Sequence, residues 1–226
     1  MTIAIRIGCG LALAAMLAAE SAMAGDAPVS PEATISPEAN GVAQVVTAAE
    51  VAAWGRSHQD PGALIMAARI LAEVPMRANP ADTGPQAGGD AMLTPGSLLD
   101  EAAALSEGDE ATLDAIAFLR ESGVRGVRSS PFGQGPIFMV REIRARETYA
   151  FEVEARGGEV LRVAAIGDGD TNIDMVVRDE AGALVCEDGF GDHYPVCTVA
   201  RARPGKMRIG IVNRGVIWTK VQILSN

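Results

Sequence analysis

The stretch Gly167–Val177, GDGDTNIDMVV, decides how the second half of the chain is read. Asp168, Asp170, Asn172 and Asp174 stand at every second position, as the oxygen ligands of a calcium loop do. An EF-hand loop also needs glycine at position six and a bidentate glutamate at position twelve. Counted from Asp168, those places hold Ile173 and Asp179, so the EF-hand is excluded. From Ile173 onward, Ile173, Met175 and Val177 alternate with Asp174 and Val176, which is the period of a strand. The stretch therefore reads as a turn feeding a core strand. A narrower metal reading survives at the strand's mouth, where Asp188 and Asp192 of a later loop join Asp168, Asp170, Asn172 and Asp174 as candidate calcium ligands. Carboxylates converging there would repel one another unless a cation joined them. The plain alternative is that these residues only make turns.

The period-two pattern extends to both sides. IFMVREI (137–143), TYAFEVEA (148–155), EVLRVAAI (159–166), NIDMVVR (172–178), ALVC (183–186), PVCTVA (195–200), MRIGIVN (207–213) and VIWTKVQIL (216–224) are short runs rich in Val and Ile. Gly, Pro, Asp and Asn clusters separate them. Strands at this spacing predict an antiparallel, jelly-roll-like β-sandwich of about eight strands over 137–226.

Upstream the period changes to that of helices. Thr47 and Glu50 form a capping-box pattern that predicts a helix through about His58. Asp60-Pro61 opens a second, with Leu64, Ala67, Ala68 and Leu71 on one face. Thr94-Pro95 opens a third and Asp109 a fourth. The expected architecture is segregated α+β, with a helical module over 42–122, made of two helical hairpins with a loop near 74–93. A flexible leader over 25–41 precedes it and a Gly-rich linker over 123–136 follows it. Arg144 and Arg146, with Arg141, approach a polar strand face that could meet the acidic helical half.

Residues 1–24 read as a signal peptide: Arg6, then the apolar run Leu11–Ala19, then the small-x-small site Ala22-Met23-Ala24. The mature chain is thus expected to be exported, periplasmic or extracellular, with no membrane span after cleavage. Of the three cysteines, Cys9 leaves with that segment. Cys186 and Cys197 remain, and in an exported chain they read as a disulfide. Two cysteines and two histidines are too few and too scattered for a zinc site.

Residues 25–122 carry 15 acidic and 4 basic side chains, whereas 123–226 carry 13 and 14. No net basic face is available for phosphate, so nucleic acid is not an expected partner. His58 and His193 are the only histidines, and no G-x-S-x-G or H-E-x-x-H motif occurs, so no catalytic residues are assigned.

From "TYAFEVEARGGEVLRVAAIGDGDTNIDMVVRDEAGALV" and "RPGKMRIGIVNRG", the region from about Arg141 to Asn226 resembles the bacterial pre-peptidase C-terminal domain. The shared features are the strand–Gly-turn–strand order, the D-x-D turn before a strand ending in D-x-x-G, and a late strand introduced by Pro-Gly. Met175-Val176-Val177 stands where that family often has an aromatic, and Gly210 interrupts a strand. The helical half is not covered. The expected function is a secreted, non-catalytic binding or stabilising module, with an extracytoplasmic protein or a polysaccharide as partner; calcium, argued from the aspartates at the strand's mouth, is the only cofactor expected. An accessory or inhibitor-like partner of a secreted hydrolase is the alternative, and a carbohydrate-active enzyme is a third class. Trp218 and Tyr149 read as core or edge residues, which argues against an aromatic platform for sugars.

Overall fold

Ser36, Pro37 and Glu38 start the first helix, with the cap at Ser36 instead of the expected Thr47. The Ser36 hydroxyl accepts from the Ala39 N–H at 3.1 Å, Pro37 occupies the first turn, and Glu38 faces the helix dipole. Helix α1 therefore spans Pro37–His58. Thr47 lies inside it, exposed, and donates to the Ala43 carbonyl at 3.2 Å instead of capping. The expected leader is corrected accordingly: residues 37–41 are helical, and Thr34 bridges to the turn before β4. The protein is seen in a computed structural model that describes residues 33–82, 89–123 and 130–226. The expected signal peptide, the leader up to residue 32, and parts of the 74–93 loop and the 123–136 linker lie outside the described residues.

The other three helices begin where side-chain oxygens meet their orphan N–H groups. Asp60 accepts from Gly62 and Ala63 at the start of α2 (Pro61–Ala72). Thr94 and Ser97 cap each other reciprocally at α3 (Pro95–Leu105). Asp109 accepts from the Thr112 hydroxyl and N–H before α4 (Glu110–Gly123), and those bonds hold its carboxyl below the usual range.

Among the described residues, nine strands follow or intervene: β1 (Arg77–Ala78), β2 (Ile137–Ile143), β3 (Thr148–Ala155), β4 (Val160–Gly167), β5 (Ile173–Asp179), β6 (Leu184–Asp188), β7 (Val196–Ala200), β8 (Gly205–Asn213) and β9 (Thr219–Ser225). They form a five-stranded sheet in the order β1-β2-β9-β4-β7 and a four-stranded sheet in the order β3-β8-β5-β6. Every pairing is antiparallel except β1 with β2. The fold is α+β, with the two sheets facing each other as a sandwich.

The five-stranded sheet is covered on both faces. Leu161, Val163, Ala165, Val221 and Ile223 point into the inter-sheet core with Met175, Met207, Ile209 and Ile211. Ala164, Ile166 and Leu224 alternate to the other face and pack with the helices. Helix α1 lies nearest β4. Its buried side is built from Ala39, Gly41, Val42, Val45, Ala48, Ala49 and Ala52, small residues that let the helix approach the sheet closely. Polar atoms stitch the two layers: Gln222, fully buried, accepts from the Met92 and Leu93 N–H groups, and Arg162 donates to the Ala39 carbonyl.

Residues 130–136 are held at several points. Ser130 donates to the Glu73 carbonyl, and Arg77 donates to the carbonyls of Gln134 and Gly135. Gly135 has φ +74°, and a Cβ there would sit 1.4 Å from the Pro75 carbonyl oxygen. Arg141 is buried in an ion pair with Asp82 and lies over the Tyr149 ring, 5.2 Å from its centroid. Arg144 and Arg146 stand exposed in the β2–β3 turn and do not share this role.

Candidate functional site

The strand order puts four sheet-to-sheet connections side by side. Strands β2, β9, β4 and β7 of one sheet stand opposite β3, β8, β5 and β6 of the other. The registers Ile143 with Thr219, Ile173 with Asn213 and Met175 with Asp188 bring the joining loops to one end. In spatial order that end presents 144–147 with Arg144 and Arg146, 214–218 with Val216-Ile217-Trp218, 168–172 with Asp168 and Asp170, and 189–195 with Phe190 and His193.

Asn213 ties three of these loops together. It is fully buried at the end of β8. Its Nδ2 donates to the carbonyls of Ile143 and Ile217 at 3.1 and 2.8 Å. Its Oδ1 accepts from the Thr171 hydroxyl and the Gly215 N–H, and its own N–H donates to the Glu147 carbonyl. All its polar capacity is used, as a buried amide requires. This clamp also explains a difference from the sequence reading. Because the Ile217 carbonyl is drawn to Asn213, Val216–Trp218 leave the ladder, β9 starts at Thr219, and Trp218 is 57% exposed. Trp218 is not a core residue, whereas Tyr149 is half-buried beside Phe151.

The six candidate calcium ligands fall in three places. Asp168 accepts from the Thr219 hydroxyl at 2.8 Å and the Lys220 N–H at 3.0 Å, with Asp170 beside it. Burial pushes the Asp168 carboxyl up, but hydrogen bonds from Asp170, Lys220 and Thr219 outweigh it and hold Asp168 low. Burial and the Asp168 carboxylate raise Asp170. Asp174 lies on the outer face of the four-stranded sheet, bonded to Arg214 and to the Asn172 amide. Asp188 pairs across from the buried Met175, so its side chain shares the inner face with Met175, away from Asp174, and accepts from the Val196 N–H at 2.8 Å. Asp192 accepts from Tyr194 within its own turn. Buried oxygens of Asn172 and Asp188 have no hydrogen-bond partner among the described residues. Among the described residues no group of three or more His, Cys, Asp or Glu is placed to hold one metal ion.

The Cys186–Cys197 disulfide joins β6 to β7, the edge strands of the two sheets, with Cα atoms 5.9 Å apart. It fixes the base of the 189–195 loop and so the place of His193. The His193 carbonyl accepts from the Gly167 N–H at 2.7 Å.

Between this loop and the helical layer lies a cleft of about 340 Å³. Its apolar lining is Ala49, Met92, Leu93 and Ile166, and its polar lining is Arg56, Glu101, Asp168 and His193. Arg56 of α1 and Glu101 of α3 meet in a forked pair at 2.7 and 2.8 Å, which raises the guanidinium's pKa. Burial lowers the His193 pKa; Asp192 and Asp168 oppose that shift and Arg56 adds to it. The imidazole is therefore neutral at neutral pH, able to donate from one nitrogen and accept at the other. Sequence reasoning placed His193 in a surface loop and passed over Arg56 and Glu101, which are 45 positions apart and follow no motif.

No protein-family model and no curated protein matches the sequence. Among solved structures, the chain is similar in its C-terminal part to the pre-peptidase C-terminal domain of a collagenase from Bacillus anthracis. Identity is 8%, with 39% of this chain and 87% of that one covered, at a TM-score of 0.35. It is also similar to the Yersinia pseudotuberculosis-derived mitogen, at 8% identity, 41% and 85% coverage and a TM-score of 0.35.

Proposed function

We propose that the protein is an exported, non-catalytic binding module whose ligand enters the cleft between the helices and the sandwich. The observation that carries this reading is the lining of that cleft. An apolar patch from Ala49, Leu93 and Ile166 stands beside a forked ion pair and a carboxylate, both held by bonds of their own, and an imidazole whose backbone is fixed to Gly167. Pockets with an apolar lining and a few fixed polar groups suit recognition, and this volume lies at the small end of the range for small-molecule clefts. The polar groups are already engaged: Arg56 with Glu101, and Asp168 with Thr219 and Lys220. That engagement favours a preorganised surface over groups poised for proton transfer. Export is supported by the signal-like pattern of residues 1–24 and by the disulfide, a bond that persists in oxidising compartments.

The test compares the wild-type protein with the double variant Arg56→Ala/Glu101→Ala. Both are applied to a glycan array and to immobilised periplasmic proteins, with circular dichroism as the control for folding. A saccharide or protein retained by the wild type and lost by the folded variant supports the cleft. Retention that the variant leaves unchanged, or none on either surface, refutes it.

A further inference from the structure

The loop Arg214–Trp218 presents apolar side chains where a folded chain gains nothing by doing so. Val216 is 74% exposed, Ile217 47% and Trp218 57%. Three consecutive large apolar residues at a loop tip are unlike the scattered single exposures normal on a soluble surface. The tip is also firmly supported from beneath. Asn213, with no exposed surface, binds the Ile217 carbonyl and the Gly215 N–H and fastens the tip to the neighbouring 144–147 and 168–172 loops. A buried polar hub holding an apolar tip out into water points to an occupant that takes up the tip.

We infer that Val216, Ile217 and Trp218 insert into the surface of an anionic lipid bilayer, which the adjacent Arg144 and Arg146 hold through its headgroups. Three features favour lipid. The tip stands at the end of the sandwich with all three side chains exposed, so it can enter a soft interface without a matching pocket. It carries tryptophan, whose amphipathic ring prefers the headgroup level. The next loop in the row carries two exposed arginines, Arg144 and Arg146, and Lys220 follows the tip, also exposed. Such basic residues add attraction to anionic lipid. The acidic residues of this end are Glu147, beside the arginines, Asp168 and Asp170 in the loop on the tip's other side, Asp192 in the loop beyond, and Asp174 and Asp188 at the strand ends, with Asp174 paired to Arg214. Asp168 already binds Thr219 and the Lys220 N–H. The module therefore tilts toward its Arg144–Arg146 side on the bilayer. Insertion is confined to the interface, and among the described residues no helix is long and apolar enough to span a membrane.

Trp218 is its own reporter, because the chain has two tryptophans and Trp54 can be replaced by phenylalanine. The chain beginning at Gly25 is used, which keeps all of the compact unit 31–226 and omits the apolar run Leu11–Ala19. It is mixed with vesicles of phosphatidylcholine containing a quarter phosphatidylglycerol, and with vesicles of phosphatidylcholine alone. The expected result is a shift of Trp218 emission to shorter wavelength, quenching by bromine-labelled acyl chains, and co-sedimentation, all stronger on the anionic vesicles. The triple variant V216S/I217S/W218S should lower the partition coefficient by roughly tenfold or more, read by sedimentation. Arg144→Glu/Arg146→Glu should weaken binding while leaving the tip intact, and serves if the triple variant does not fold. The inference is overturned by unshifted emission without sedimentation, by equal binding to both vesicles, or by full binding of either variant. It is also overturned if these variants abolish capture of a glycan or protein while vesicles leave Trp218 unaffected.

Discussion

The Leu93 N–H donates to the side-chain oxygen of Gln222 at 3.0 Å, a bond across 129 positions of sequence and fully inside the molecule. The same oxygen accepts from Met92 at 2.7 Å. Gln222 is thus the polar point at which the central strand of the five-stranded sheet holds the segment entering α3. Gln222→Leu keeps the volume and removes the one oxygen that accepts both bonds, leaving the buried Leu93 N–H unpaired. Stability should fall by about 2–3 kcal/mol, measured as a lower urea midpoint at unchanged slope.

His193 makes stability depend on pH in a definite direction. Its pKa in the folded protein lies below the unfolded value because burial disfavours the imidazolium. The folded state therefore binds the proton less readily than the unfolded chain. The resulting stabilisation is complete above the unfolded value of about 6.5 and is lost as pH falls through the lower folded value. Thermal melts between pH 7.5 and pH 5 should show a decline that His193→Gln flattens.

Reducing the Cys186–Cys197 bond should loosen the module at its open edge. The bridge closes a loop with a sequence separation of 11 and links edge strands of opposite sheets. Loop-closure entropy at this length is worth about 2–3 kcal/mol. Denaturant unfolding with and without dithiothreitol, against Cys186→Ala/Cys197→Ala as reference, measures the loss. The double variant should be insensitive to the reductant.

Gly135→Ala should be among the most damaging single-methyl changes in the chain. Both its positive φ and the Pro75 carbonyl, 1.4 Å from the place of the added carbon, oppose a side chain. The segment 130–136 would have to leave its contacts with Glu73 and Arg77. A loss of roughly 3 kcal/mol or more is expected, seen as a drop in melting temperature.

Much of the fold was legible because local chemistry and tertiary need agree. Asp60-Pro61 and Thr94-Pro95 cap helices in place, and all eight period-two runs contain strands. The start of α1 was misread because its buried face mixes Ala and Gly with a few Val, and such small residues carry little periodic signal. The Ser36-Pro37-Glu38 trio was the available sign. The two-residue strand β1 depends only on a distant neighbour, so nothing local marks it. Of the site, Asp168 and His193 were visible as residue types. Arg56 and Glu101 reach the cleft only through the packing of α1 and α3, and Trp218 is turned outward only by Asn213.

Strand β4 has apolar side chains on both faces, and this removes the usual safeguard of strand alignment. In a sheet with one wet face, slipping by one residue exposes the core and is heavily penalised. Here a slip of β4 against β9 would trade Leu161, Val163 and Ala165 for Ala164 and Ile166, one dry interior for another. Hydrophobicity alone offers little discrimination between those alignments. The choice falls to a few polar markers: Arg162, whose N–H meets the Asn226 side chain while its guanidinium meets Ala39, and Gln222 against Leu93. These residues act less as glue than as index marks, and their removal should broaden the set of alignments the chain samples before it lowers the content of sheet.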